Sequence, residues 1–150
     1  MLNEDYRDML QILLENKVKF LVVGAYSMAV YGYPRATGDI DIWVEASKDN
    51  SEKVYHSLVE FGALVSDLTP DTFSEEDVIF QIGVAPRRID VITSINGVDF
   101  VDAFPNRKEV LIDSLNIPFI SKEDLIKNKE STGREKDLLD VKILRKKHDS

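Results

Sequence analysis

The feature that most constrains this chain is Asp39-Ile40-Asp41-Ile42-Trp43-Val44, where acid and apolar side chains alternate with period two. Successive side chains of a β-strand leave on opposite faces. The pattern therefore predicts a strand that sends Ile40 and Ile42 into a core and both carboxylates to the other face. What precedes it supplies a frame. Phe20-Leu21-Val22-Val23 reads as a fully buried strand, Gly24 closes it where the backbone turns sharply, and Ala25 to Tyr31 suits one short helix ended by Gly32 and Pro34. The exposed first-turn N–H groups of that helix, with its dipole, favour an anion such as a phosphate at Gly24 and Ala25. Two like charges side by side on a sheet face repel, and a hard divalent cation such as Mg²⁺, held by carboxylates plus substrate phosphates, is the usual resolution.

A third acid strengthens the pattern. Val78 to Val84 and Arg88 to Thr93 are strand-like runs joined by Ala85-Pro86-Arg87, a connection suited to an antiparallel hairpin. In the second run Ile89 and Val91 share one face and Asp90 takes the other, so a neighbouring position would bring Asp90 beside Asp39 and Asp41. An isolated Asp-x-Asp more often marks a solvated strand face than a metal site. The glycine turn, the arginine and threonine ahead of the pair and the separate Asp90 shift the balance. The expectation is a mixed sheet with the three carboxylates on one face at an open cleft.

The remaining segments read mainly as scaffold. Tyr6, Met9, Leu10, Leu13 and Leu14 recur at helical spacing within Asn3 to Asn16, and Ser47 to Gly62 is a second helix with one apolar stripe and a glycine stop. Ala63 to Glu76 is a connector with a short helix near Thr72, and Val98 to Phe104 is either a short helix or an irregular strand. Val110 to Asp113 and Leu115 to Ile120 suit two short strands, Pro118 arguing for an edge. Ser121-Lys122-Glu123-Asp124 is a capping box opening a helix that Gly133 breaks, and Arg134 to Lys147 forms the last helix.

Composition removes several classes of function. At 150 residues and 43% hydrophobic the chain suits one α/β domain over residues 1–150. No stretch approaches the roughly 18 to 20 apolar residues of a membrane span, and Asn3, Glu4 and Asp5 speak against a secretory signal, so a cytoplasmic protein without a membrane partner is expected. Zero cysteines exclude disulfides and thiolate metal sites, and His56 and His148 lack ligand-like neighbours. A formal net charge of −8 opposes binding to a long nucleic-acid duplex, while a nucleotide carried with its own Mg²⁺ is compatible.

These motifs together resemble the DNA polymerase beta-type nucleotidyltransferase superfamily, with its Gly-Gly or Gly-Ser helix start, its Asp-x-Asp or Asp-x-Glu strand and a third carboxylate on a neighbouring strand. The chain is most similar to stand-alone bacterial and archaeal domains, including nucleotidyltransferases of abortive-infection and toxin–antitoxin systems. Tyr33 to Asp41 resembles their Arg-x-Thr-x-Asp-h-Asp segment, where h is apolar, and Gly133 to Val141 resembles their closing Arg-x-Lys-Asp-h-x-Asp helix. The departure is Gly24-Ala25 where the family has Gly-Gly or Gly-Ser, with Ser27 two positions later.

The resemblance implies a mixed, largely antiparallel sheet flanked by helices. It implies transfer of a nucleoside monophosphate from a nucleoside triphosphate to an acceptor hydroxyl with Mg²⁺ or Mn²⁺, the acceptor being protein or RNA. Asp39 and Asp41 would bridge two metal ions, and Asp90 would hold the ion nearer the acceptor and help take its proton. Gly24, Ala25 and, more weakly, Ser27 would contact phosphates. Arg35 would reach phosphate or brace Asp39, and Thr37 belongs to the same matched segment. Lys129, Arg134 and Lys136 would face the triphosphate or form a salt-bridged surface. A binding module that kept the fold without turnover, partnered in a toxin–antitoxin system, stays open. A small-molecule modifier is disfavoured because little length remains for an acceptor domain, unless a homodimer supplies that surface.

Overall fold

The computed structural model describes residues 2–34 and 38–148. They form a six-stranded sheet in the order β3-β4-β2-β1-β6-β5, comprising β1 (Phe20–Val23), β2 (Ile40–Val44), β3 (Ile79–Ile82), β4 (Ile89–Ile92), β5 (Lys108–Ile112) and β6 (Leu115–Phe119). β1 runs antiparallel to β2 and parallel to β6, β2 runs parallel to β4, and β3–β4 and β5–β6 are antiparallel hairpins. The expected mixed, largely antiparallel α/β architecture is what forms.

Local chemistry sets the helix ends. In α1 (Glu4–Glu15) the Asn3 side chain accepts from Tyr6 N–H at 2.9 Å, and in α3 (Lys48–Phe61) the Ser47 hydroxyl accepts from Asn50 N–H at 3.2 Å. The Ser121 hydroxyl caps α5 (Lys122–Thr132) by accepting from Asp124 N–H at 3.1 Å. Each cap satisfies a donor that the first helical turn leaves unpaired. Two further short helices, α2 (Ala25–Val30) and α4 (Phe100–Ala103), and the long α6 (Glu135–His148) complete the set. Among the described residues no helix is long and apolar enough to cross a membrane.

Period-two alternation divides the sheet into two buried faces. Phe20, Val22, Ile40, Ile42, Ile89 and Val91 pack under α1 and α3 against Tyr6, Leu10, Val54 and Leu58. Leu21, Val23 and Trp43 face the opposite way, against Met28 of α2, Phe100 of α4, Leu125 of α5 and Leu144 of α6. Trp43 is 1% exposed, donates its indole N–H to the Thr93 carbonyl at 3.2 Å and meets the Phe100 ring edge-on at 5.1 Å.

One segment differs from the sequence expectation, and the structure settles the detail of two others. Pro118 lies in β6, an interior strand, and β5 is the edge. The registered pairing of β6 with β1 is confined to Val22 and Phe119, so the proline sits where that ladder has barely begun. The ambiguous Val98 to Phe104 segment is helical, α4 running into a 3-10 turn at Phe104–Asn106. The connector before β3 is pinned by Phe73, fully buried in its 3-10 turn, whose N–H donates to the Ser51 hydroxyl at 2.9 Å.

Candidate active site

The site is a rung of residues across the sheet. Val23 lies opposite Asp41, Asp41 opposite Asp90, and Asp90 opposite Gln81, all on the face that carries α2, α4, α5 and α6. Parallel pairing of β2 with β4 is what places two aspartates side by side. Their side chains share a hydrogen bond. Asp39 immediately precedes β2 and is fixed by the next strand, its Oδ1 accepting from Arg88 N–H at 3.0 Å.

Arg88 joins two of the three acids, Asp90 and Asp39. Its guanidinium donates from Nε to Asp90 Oδ1 at 2.7 Å and from Nη2 to Asp90 Oδ2 at 3.1 Å, while Nη2 lies 3.4 Å from Asp39 Oδ2. Such a fork is a strong and directional charge-assisted pair. The hydrogen bond to Asp90, with the surrounding carboxylates, holds the guanidinium pKa above its ordinary value. In the sequence Arg88 reads only as the start of a strand. The available signal was its position two residues before Asp90, which on a strand means the same face. Arg88 braces Asp39, and Arg35 and Thr37 lie outside the described residues.

Asp41 carries the electrostatic load. Burial first, then the charge of Asp90, their shared hydrogen bond and the charge of Asp39 push its pKa up to about 6, with Arg88 opposing. Asp90 is 8% exposed, so the pair sits largely out of water. The glycine turn closes directly over it. Gly24 has φ 71 and ψ −151, a conformation essentially restricted to glycine, and a Cβ built there would collide with Asp41 Oδ2. Backbone and carboxylate are thus in contact across the β1–β2 pair.

The other expected contacts divide. Ala25 opens α2 beside that turn and is half-buried. Ser27 is fully buried, and its hydroxyl donates to the Gly24 carbonyl at 2.5 Å, so it fixes the turn from within. Lys129 points its ammonium between Asp137 at 3.4 Å and Asp140 at 2.9 Å, all three largely buried. Thr132 Oγ1 and Arg134 Nε donate to Asp137 Oδ2 at 2.7 and 2.9 Å, and Lys136 is exposed. Burial works to raise the Asp137 pKa, but the Thr132 hydrogen bond, the Lys129 charge and Arg134 outweigh it and hold the pKa below the ordinary value. Lys129 and Arg134 therefore tie α5 to α6. Among the described residues no hydrogen bond or ion pair joins either to the acid rung.

Asp41 and Asp90 suit a hard divalent cation, since the pairing of β2 with β4 sets two largely buried carboxylates of like charge side by side. Among the described residues no three His, Cys, Asp or Glu side chains cluster tightly enough to cage an ion. Mg²⁺ commonly needs only one or two carboxylates, with substrate phosphates and water completing its shell.

Over residues 2–146 the sequence matches the family described as nucleotidyltransferase of unknown function, DUF6036. The chain belongs to this family. No curated protein matches it in sequence. Three solved structures share the nucleotidyltransferase fold. A nucleotidyltransferase from Thermotoga maritima, TM1012, is 18% identical with a TM-score of 0.60, over 97% of this chain and 94% of its own. The lincosamide antibiotic adenylyltransferase LnuA, solved with lincomycin bound, is 21% identical with a TM-score of 0.58, over 95% and 96%. The antibiotic-resistance factor ANT(2'')-Ia is 13% identical with a TM-score of 0.62, over 93% and 80%.

Proposed function

We propose that this family member transfers a nucleoside monophosphate from a nucleoside triphosphate to an acceptor hydroxyl. The observation that carries the reading is the Asp41–Asp90 rung lying against the Gly24 turn. The acceptor oxygen bonds to the α-phosphorus, the bond from that phosphorus to the β-bridging oxygen breaks, and pyrophosphate leaves. Gly24 and Ala25 lie beside Asp41, so a triphosphate held by their N–H groups would bring its α-phosphorus to the rung. Mg²⁺ or Mn²⁺, two ions in the two-metal form, bound by Asp39, Asp41 and Asp90 with the nucleotide phosphates, would stabilise charge on the attacking and leaving oxygens. Asp90 lies on the acceptor side, toward β3, and takes the hydroxyl proton into the pair it forms with Asp41, whose raised proton affinity suits that role. Arg88 keeps Asp39 and Asp90 in register throughout.

A protein or RNA acceptor could reach the rung from the exposed β3 edge. LnuA, solved with lincomycin, is matched over 96% of its own length, so the shortness of this chain does not count against a small acceptor. One observation favours the alternative of a non-catalytic toxin–antitoxin module, namely that Arg88 occupies both oxygens of Asp90. Against it, holding three like charges together costs stability that an idle site has no reason to retain. The test is label transfer from each [α-³²P]nucleoside triphosphate with Mg²⁺ in lysate. Asp90→Asn should lower transfer by about a thousandfold or more while Ala25→Gly keeps or raises it. No transfer by wild type or Ala25→Gly with any of the four triphosphates would sink the enzyme reading.

A further inference from the structure

We propose that β3 is a docking edge for a second copy of this chain, the two β3 strands pairing antiparallel about a two-fold axis normal to the sheet. The sheet has β3 at one edge and β5 at the other, and the two edges differ. β5 carries Lys108 and Glu109, charges of the kind that keep an edge from pairing, whereas β3 reads Ile79-Phe80-Gln81-Ile82 with neither a charge nor a proline. The open side of β3 is also determined. Thr93 N–H donates to the Val78 carbonyl at 3.1 Å, and the alternation of an antiparallel ladder then turns the N–H and C=O groups of Phe80 and Ile82 toward β4 and those of Ile79 and Gln81 away from it. Ile79 is 67% exposed, and Gln81 is exposed as well. Asp77 with φ 62 and Gly83 with φ 81 turn the chain at either end, so the pairing segment is the strand itself.

A two-fold axis normal to the sheet keeps the acid face of both copies on one side. The register that satisfies every outward backbone group sets Ile79 opposite the partner's Gln81 and Gln81 opposite the partner's Ile79, with Phe80 against the partner's Phe80 on the other face. The flanks are self-complementary in charge. Glu75, Glu76 and Asp77 are exposed just before β3, Arg87 is exposed in the turn after it, and among the described residues none of these four has an ion pair. Antiparallel pairing brings the acidic run of each copy alongside the turn that carries Arg87 in the other, and it covers Val84, which is 79% exposed in the single chain. An edge of 4 residues makes a small interface, so the dimer is reversible. On the acid face the partner's Ile79 stands beside Gln81, and an acceptor approaching the rung from β3 passes over it. The pairing holds whether or not nucleotide is transferred.

Sedimentation velocity of the full chain tests the pairing. Wild type should pass from monomer to dimer between about 1 and 200 µM, as a small interface requires. Gln81→Pro removes an outward N–H that the fold does not use, so it should keep the circular dichroism spectrum while raising the dimer Kd by about tenfold or more. Leu111→Lys, on β5, should leave the Kd unchanged. Glu75→Lys combined with Glu76→Lys, and separately Arg87→Glu, should each weaken self-association by about fivefold or more, because each sets like charges against the neighbouring turn. Mixing those two proteins should restore a dimer, since both ends of the mixed pair then carry opposite charges. Should Gln81→Pro unfold, the mixing experiment decides alone. A wild type that stays monomeric throughout, a dimer that a folded Gln81→Pro leaves intact, a dimer lost in Leu111→Lys, or no recovery on mixing would overturn the proposal. So would a photo-crosslinker at Val84 that captures a different lysate protein and no second copy.

Discussion

Two clusters of buried charge lie on the same side of the sheet and have opposite electrostatics. Around Lys129, the ammonium sits between Asp137 and Asp140, Thr132 and Arg134 add donors, and the Asp137 pKa is held down. At the rung, Asp90 and Asp39 share one guanidinium, Asp41 lies beside them, and its pKa is pushed up to about 6. The first cluster is nearly satisfied and fastens two helices. The second carries three carboxylates against one guanidinium, and the repulsion is not offset. Burying carboxylates does not itself make a site; the sign and position of the missing partner do.

The largest effect should come from breaking the satisfied cluster. Lys129→Met removes the buried ammonium that Asp137 and Asp140 share and should cost about 3 to 5 kcal/mol. In a chain of this size that is a fall of roughly 6 to 20 °C in Tm, readable by circular dichroism at pH 7. A loss under about 1 kcal/mol would show that α5 and α6 are held by their apolar contacts alone. Gly24→Ala is next, at about 2 to 4 kcal/mol, since it combines a glycine-only conformation with a collision against Asp41 Oδ2. Unchanged stability would mean that the turn does not rest on the carboxylate.

The smallest effect has the opposite sign. Asp41 has a folded pKa raised from 3.8 to about 6, so its contribution to stability is fully present below about pH 4 and is lost as pH rises through 6. Removing the charge should therefore stabilise the protein at high pH. A rise of that size corresponds to about 3 kcal/mol, and discounting for partial exposure leaves a gain of about 1 to 2 kcal/mol for Asp41→Asn at pH 8. That gain should vanish near pH 4. The satisfied cluster behaves the other way, because the lowered pKa of Asp137 gives stability that is lost only as pH falls below the ordinary carboxylate range. Denaturant titrations of wild type, Asp41→Asn and Lys129→Met from pH 4 to 8 would separate the two clusters.

Much of this was legible in the sequence where a single period fixed the geometry. Alternation at Asp39 to Val44 and Arg88 to Thr93 assigned both strands and sent Asp41 and Asp90 away from the Ile40, Ile42 and Val91 face. Asn3, Ser47 and Ser121 marked their helix starts because a cap is a local interaction. What depended on contacts distant along the chain was harder. Arg88 stands in the same strand as Asp90, but its fork to Asp90 and reach to Asp39 follow from the pairing of β4 with β2. Lys129 had two readings from sequence, and the position of α6 decides that its partners are Asp137 and Asp140. The edge-on contact of Phe100 with Trp43 comes from α4, a segment whose secondary structure the sequence left open.

The central claim is that the acid rung is a nucleotide-dependent cation site held at a cost to stability. Calorimetric titration of Mg²⁺ with a non-hydrolysable nucleoside triphosphate analogue into wild type and Asp41→Asn at pH 8 tests it most directly. Wild type should bind in a metal-dependent way and Asp41→Asn should not, and the variant should have the higher Tm in the absence of ligand. Equal metal-dependent binding by the two proteins, or a variant that loses binding only because it is less stable, would contradict it.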